Sequence, residues 1–418
     1  MAEAKPAVDK KVLHKALNKR GKTKKDKYGV MSYAIWIGAV IALIVGGVVI
    51  LIINPEKKPH QMAVNDDLLI AQINSVSTLF KAGASAFFEN WSIGDVKKRA
   101  GIGLTNRVNP HQCNVNTKMK MPAEFDAREK WPACFKHPVY DAGNCTSTWA
   151  IMGASTVSNR FCIQDPNTYS ALRLSPQTSL SCDTLNRGCD GGDLDTMWFH
   201  YEKEGLVTEK CFPYTADPDV GCEEKCNDEQ PLKIVAHCLV HSEDGIKREV
   251  LQNGPVVAPV TLNDDLLVYK QGIYKPLATA KRLVTDRRYP VIHAVKIIGW
   301  GEKNRQPYWL VENAWGEDWG EGGYAKIAIE RDTKDKDDHT KSVVLSYCFA
   351  PTPSNKVMEE QSTAGRGGDE AKYEADLDLA ADDLLAEDEE EEDEEEADEG
   401  AEGDDDEEHA EEDVALDE

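Results

Sequence analysis

No cysteine occurs in the first 112 residues and none follows Cys348; all 11 lie between Cys113 and Cys348. Such density is unusual where thiols are kept reduced and ordinary in an oxidising compartment. These cysteines form neither a pair of C-x-x-C units nor a Cys/His cluster at zinc spacing, which argues against a metal site. No EF-hand spacing occurs either, so no tight calcium site is expected. Basic residues are nearly missing from the C-terminal stretch: residues 369–418 hold 30 Asp or Glu against the single Lys372, a net of −29. Set against −26 for the whole 418-residue chain, this leaves the other 368 residues near +3. The acidity therefore belongs to a tail and not to a fold. Its sign excludes nucleic acid as a partner of the tail, and the compartment implied by the cysteines excludes it for the body.

Charge is also absent from Ala34 to Ile53, a run of 20 residues rich in Ile, Val, Ala and Gly. At about 1.5 Å per residue such a helix spans the ~30 Å hydrocarbon core of a bilayer. Residues 1–28 carry ten Lys or Arg against three acids. Positive flanks stay cytoplasmic, so the expected topology is a single-pass type II membrane protein, N-terminus inside and everything after Asn54 lumenal or outside the cell. A cleaved signal peptide fits less well: its apolar region is about 7–15 residues and ends at small residues, whereas here Ile-Ile-Asn-Pro-Glu follows. The cysteines all fall on the side this topology makes oxidising.

Leu69, Ile73, Val76, Leu79, Phe80 and Phe87 recur at helical spacing, predicting an amphipathic helix over 66–88. Asn90-Trp-Ser92 and Asn144-Cys-Thr146 are N-glycosylation sequons, the second enclosing Cys145. The acidic tail is expected to be disordered by self-repulsion and lack of apolar groups. It is expected to solvate the protein, to bind Ca²⁺ weakly in bulk, or to engage a basic lumenal protein through its field.

Several motifs follow one another in fixed order: Pro122-Ala-Glu-Phe-Asp-Ala-Arg, Asp141-Ala-Gly-Asn-Cys-Thr-Ser-Thr-Trp149, Gly188-Cys-Asp-Gly-Gly192, Asn253-Gly-Pro-Val256, Ile292-His-Ala-Val-Lys-Ile-Ile-Gly-Trp-Gly301 and Pro307-Tyr-Trp-Leu-Val-Glu-Asn-Ala-Trp-Gly316. Together they resemble the papain-family cysteine peptidases, and cathepsin B-like members in particular. The stretch before them, with Asn90-Trp91 and Val96-Lys-Lys-Arg-Ala-Gly101, is similar to a cathepsin B propeptide. The resemblance covers residues 65–350. It implies an α+β, papain-like two-domain fold: a helical left domain opening with the helix Trp149–Cys162, and a right domain built on an antiparallel β-barrel. The strands of that barrel include Val291–Gly299 and Tyr308–Glu312, and the β-branched Val291-Ile-His-Ala-Val-Lys-Ile-Ile reads as a strand by itself. One transmembrane helix precedes this fold and the disordered acidic tail follows it. The segments are then 1–33 basic and cytoplasmic, 34–53 anchor, 54–121 linker and propeptide-like, 122–352 papain-like, and 353–418 linker and tail.

The same resemblance implies the pairs Cys134–Cys162, Cys145–Cys189, Cys182–Cys222 and Cys211–Cys226. Cys238 and Cys348 are left over in the body as candidates for a bridge across the barrel. Cys113 is then odd, a free thiol or an intermolecular link.

A cysteine peptidase needs an ionisable nucleophile, a His to take its proton, a group to orient that His, and donors for the oxyanion. His293 matches the family's catalytic His, Asn313 its orienting Asn, and Trp315 the Trp that covers the pair. In the family pattern Gln-Gly-Ser-Cys-Gly-Ser-Cys-Trp the second Cys attacks, and Thr148 stands there. A hydroxyl is far less acidic than a thiol near pKa ~8.5, and an internal Thr lacks the terminal amine that activates threonine nucleophiles. Ala142 stands at the Gln whose side chain donates to the oxyanion. Gly191 and Gly192 match the segment that pairs with an extended peptide. Ten residues without a His separate Cys211 from Cys222, where cathepsin B-like enzymes carry a two-His occluding loop, so the primed side is expected to be open.

Three functions remain. The first is a lumenal pseudopeptidase, in the secretory or endolysosomal pathway or outside the cell, that binds a peptide or protein, its His293 and Asn313 retained for packing. The second is an active papain-family hydrolase using Thr148. The third is a low-affinity calcium-binding protein through its tail. No resident cofactor or metal is expected.

Overall fold

The structure is a computed structural model that describes residues 61–98, 102–103, 111–217, 219–285, 290–330, 343–344 and 347–354. The apolar run 34–53, the basic segment before it and the acidic tail lie outside the described residues. No helix among the described residues is long and apolar enough to cross a membrane.

Helix α1 (Asp67–Val76) starts where the Asp66 carboxylate accepts from the Leu69 N–H at 2.9 Å. It ends twelve residues short of the Phe88 expected from periodicity. Ser77 caps it, the Ser77 Oγ accepting from the Phe80 N–H at 3.2 Å, and the chain turns into strand β1 (Phe80–Ala82). Pairing of β1 with a body strand around Gly272 overrides the local helical pattern, and a single 3-10 turn, Ala86–Phe88, follows. Helix α2 (Ile93–Lys98) opens with a reciprocal cap: the Asp95 N–H donates to Ser92 Oγ at 3.1 Å and the Ser92 N–H to Asp95 Oδ2 at 2.8 Å. Strand β2 (Ile102–Gly103) completes this N-terminal segment.

In the body, β3 (Phe125–Asp126) precedes the helical lobe of α3 (Thr148–Gln164), α4 (Gln177–Cys182) and α5 (Leu194–Lys203), with the short β4 (Gly192–Asp193) between the last two. Helix α3 is apolar or small on nearly every face, and all but three of its 17 residues are buried, the signature of a helix inside a core. The other lobe holds β5 (Ile234–His241), helix α6 (Glu243–Asn253), β6 (Val256–Thr261), β7 (Tyr269–Tyr274), β8 (Ile292–Lys303), β9 (Gln306–Glu312), β10 (Tyr324–Ala328) and β11 (Tyr347–Pro353). Among the described residues, nine strands make one sheet in the order β1-β7-β10-β9-β8-β6-β11-β5, with β3 paired to β8. The pairs within it are antiparallel except β7–β10, so the expected antiparallel barrel is a largely antiparallel sheet with one parallel pair. Strand β8 is buried along its first ten residues. Val291, Val295 and Ile297 feed the core of the sheet lobe while Ile292 and Ala294 face the helical lobe, the two-residue alternation of a strand packed on both sides.

Arg160, on α3, ties the lobes together. Its guanidinium donates to Glu249 Oε1 at 2.9 Å and to the carbonyls of Pro255 and Pro351 at 2.7 Å each, all of it buried.

Five disulfides close the molecule: Cys134–Cys162, Cys145–Cys189, Cys182–Cys222, Cys211–Cys226 and Cys113–Cys238. The last corrects the expected bridge between Cys238 and Cys348. Residues 111–113 run along β5, with the Cys113 N–H donating to Leu239 O at 2.8 Å and the Leu239 N–H to His111 O at 2.9 Å. This brings the Cys113 and Cys238 Cα atoms to 5.0 Å, inside the span a disulfide needs. Cys348 pairs in register with Val240, diagonally from Cys238, and stays a buried thiol. Burial pushes that thiol well above its ordinary pKa, which leaves it inert.

Candidate functional site

Thr148 is the first residue of α3, so its side chain projects from a helix N-terminus whose leading N–H groups the helix leaves unpaired. Trp149 beside it is fully buried, its indole donating to Gly188 O at 3.2 Å. The Gly191-Gly192 pair follows from this packing. Gly191 sits at φ 115°, and a Cβ on Gly192 would lie 2.5 Å from the Trp149 ring.

From the facing lobe, β8 supplies His293 and the residue after β9 supplies Asn313. The Asn313 side-chain amide is oriented by the Ala314 N–H, which donates to Asn313 Oδ1 at 2.8 Å. Asn313 Oδ1 in turn lies 2.7 Å from His293 Nε2. That contact requires a proton on Nε2, leaving Nδ1 as the acceptor that faces Thr148 Oγ1 at 3.4 Å. The base and its orienting group are thus in place, whereas the hydroxyl makes only a long contact. Trp315 covers the imidazole with ring centroids 4.6 Å apart. Ala142 is buried and presents only a methyl group, with its own N–H donating to Ala314 O at 2.8 Å.

Burial pushes the His293 pKa down to about 4, against the opposing pull of Asn313. A cysteine enzyme would place a thiolate opposite this ring and raise it; Thr148 supplies no such charge. The imidazole is therefore neutral at physiological pH. Because its folded pKa lies below the unfolded ~6.5, the stability it carries is complete above pH ~6.5 and is lost as pH falls toward 4. NMR of the imidazole, assigned against a His293→Gln variant, is expected to show a midpoint near 4. A midpoint at or above the ordinary ~6.5 would contradict a site that burial depresses.

The chain's own N-terminal segment fills this cleft. Phe87, Phe88, Trp91 and Val96 close over Thr148 and His293, leaving about 30 Å³, room for roughly one water. Phe88 packs edge-on against Trp315 at 4.9 Å. Strand β2 pairs in parallel with β4, setting Ile102 against Gly192 and Gly103 against Asp193. The backbone expected to receive a peptide already holds one from the same chain. Beyond it, an open groove of about 470 Å³ runs past Asp141, Trp315 and Glu317. Asn144 is exposed on the rim of that groove and Asn90 is exposed on the N-terminal segment.

Sequence reasoning misses this role of the aromatics, because periodicity assigns Phe87 to a helix face. The run Phe87-Phe88 with Trp91, three large aromatics within five residues, is the available signal. It also misses Tyr214, which meets Ser147 Oγ at 2.5 Å and donates to Ala142 O at 2.9 Å, fixing the loop before the helix.

A hydroxyl at the head of a buried helix, facing an imidazole and an amide from a curled sheet, is the site plan of a papain-type peptidase. Residues 121–345 match the papain family cysteine protease profile, more than half of the chain, and the protein belongs to that family. The chain is 33% identical to human tubulointerstitial nephritis antigen over 249 residues, covering 53% of this chain and 52% of that protein. It is 30% identical to the human tubulointerstitial nephritis antigen-like protein over 299 residues, 63% and 64% of the two chains. It therefore spans about half to just under two thirds of these curated relatives. Among solved structures, procathepsin B S9 from Trypanosoma congolense superposes with a TM-score of 0.61 at 28% identity, covering 70% of this chain and 100% of that one. A digestive procathepsin L 3 of Tenebrio molitor, at 22% identity and a TM-score of 0.56, shares the fold and covers 69% of this chain and 90% of that one.

Proposed function

We propose that this chain is a membrane-anchored, lumenal cathepsin B-like pseudopeptidase that binds a peptide or protein in its cleft without cutting it. The observation that carries this reading is the Thr148 hydroxyl standing 3.4 Å from a neutral His293, in the place where the chemistry needs a thiolate. Ala142 adds a second, independent defect. Gly192, with Asp193 after it, still presents backbone that pairs with an extended segment, which supports a cleft able to hold a peptide. The apolar run 34–53 and the confinement of all cysteines to the following side support anchoring and a lumenal body. The acidic tail then works outside the fold, as a solvating chain, a weak Ca²⁺ binder or a contact for a basic protein.

The test is hydrolysis of a fluorogenic peptide amide by the full-length protein in detergent, in a Cys113→Ala background that frees the N-terminal segment, before and after the 114–121 stretch is cut and that segment removed. The expected rate equals that of Thr148→Ala in both states. Turnover that disappears in Thr148→Ala would identify a threonine hydrolase instead.

A further inference from the structure

Both outer edges of the sheet are paired by residues that precede Pro122. At one edge β1 lies on β7, with Phe80 opposite Gly272 and Lys81 opposite Gln271. At the other, Gln112 bridges to Leu239 of β5, and Cys113 is covalently joined to Cys238. Between these two points the same segment places Phe88 over Trp315 and β2 along β4. The stretch from Asn114 to Met121 that links the disulfide to the body carries exposed residues, among them Asn116, Thr117, Lys118 and Lys120. Arg248 donates to the carbonyls of Asn116 and Met119 at 3.1 and 2.8 Å, and Val115 and Met121 rest against the core.

Cys113 is therefore on the N-terminal side of the accessible stretch and its partner is on the body side. We infer that the Cys113–Cys238 disulfide is a latch: a cut within 114–121 yields a two-chain protein that keeps its cleft filled, and the N-terminal chain leaves only when a dithiol also reduces this bond. In the reduction the external dithiol gives two electrons and two protons. The Cys113–Cys238 S–S bond breaks to two thiols, and the reductant becomes a disulfide. The neighbouring Cys348 does not substitute for that reductant. It shares the sheet face of Cys238, but diagonal neighbours across two strands sit about 7 Å apart, and its buried thiol is a poor nucleophile. Two inputs, a cut and a reduction, thus govern access to the cleft and also detach the body from the segment bearing the apolar run. The latch stands on the bond and the strand pairings; only its consequence for ligand access rests on the binding function proposed above.

The test places a site-specific protease sequence after Lys118 in the full-length protein, in detergent. After cutting, wild type is expected to run as one species on a denaturing gel without reductant. On native size exclusion its two chains co-elute, and they separate after dithiol treatment. Dithiol also reaches other disulfides, so Cys113→Ala is the cleaner arm: once cut, it loses its N-terminal chain with no reductant, while Cys348→Ala behaves as wild type. Retention of the N-terminal chain by cut Cys113→Ala would overturn the latch, since strand pairing alone would then hold it. Release from cut wild type without reductant would overturn it as well. Neither readout depends on hydrolysis or on a cleft ligand, so failure here is distinct from failure of the pseudopeptidase reading.

Discussion

Thr148→Cys together with Ala142→Gln is expected to give a protein that hydrolyses peptide amides far faster than wild type. Loss of the nucleophile in a triad enzyme costs about 10⁶ in turnover, and loss of one oxyanion donor about 10²–10³. The rest of the apparatus is already assembled: Asn313 Oδ1 holds His293 Nε2 at 2.7 Å, and Nδ1 faces position 148. A thiol at the first residue of α3 gains both the imidazole and the helix N-terminus as stabilisers of its ionised form. Thr148→Cys alone is expected to give weak activity, and adding Ala142→Gln to raise it by about a hundredfold or more. The imidazole, gaining a thiolate partner, should titrate well above the wild-type value of about 4. The N-terminal segment must be displaced first, because the roughly 30 Å³ beneath Phe87 and Phe88 cannot admit a substrate or a glutamine side chain. No activity in the double variant after cutting and removal of that segment would mean that the base is not productively placed.

The second large effect concerns the joint between the lobes. Arg160→Ala removes four donations, to Glu249 Oε1, Pro255 O, Pro351 O and Gly254 O, and leaves the buried Glu249 carboxylate, among the described residues, with the Asn253 amide as its side-chain donor. Breaking a buried pair by deleting one member costs about 3–5 kcal/mol, which for a body of this size lowers the thermal midpoint by roughly 10 °C. Glu249→Gln should cost less, since it removes the charge while keeping an acceptor for the guanidinium. Denaturant unfolding with disulfides intact measures both. A loss of less than about 1 kcal/mol in Arg160→Ala would show that the carbonyls are resatisfied by water.

The active groups are legible in the sequence because each sits in a short motif whose chemistry is local. His293 is in a β-branched strand, Asn313 follows a second strand, and Thr148 stands where a helix begins. The motif Asp141–Trp149 also shows that the nucleophile and the oxyanion donor are both replaced. What escapes is non-local. Apolar periodicity over 66–88 describes a helix, yet β1 forms because β7 offers an unpaired edge, a fact written nearly two hundred residues away. For the same reason the sequence leaves Cys113 without a partner. Its bond is chosen by the strand pairing of 111–113 with β5, which sets a Cα separation that no cysteine spacing encodes.

By itself, then, the sequence determined the kind of fold, and which residues, Thr148 and Ala142 among them, stand at the family's catalytic positions, because these depend on residue type at fixed local spacing. Only the tertiary structure decided that the cleft is occupied by the chain's own aromatics, that both sheet edges are closed by the N-terminal segment, and that Cys238 bonds to Cys113 and not to Cys348. Those outcomes are set by which backbone edges and apolar faces meet in space, and hydrogen-bond pairing and burial are satisfied there by partners that are distant along the chain.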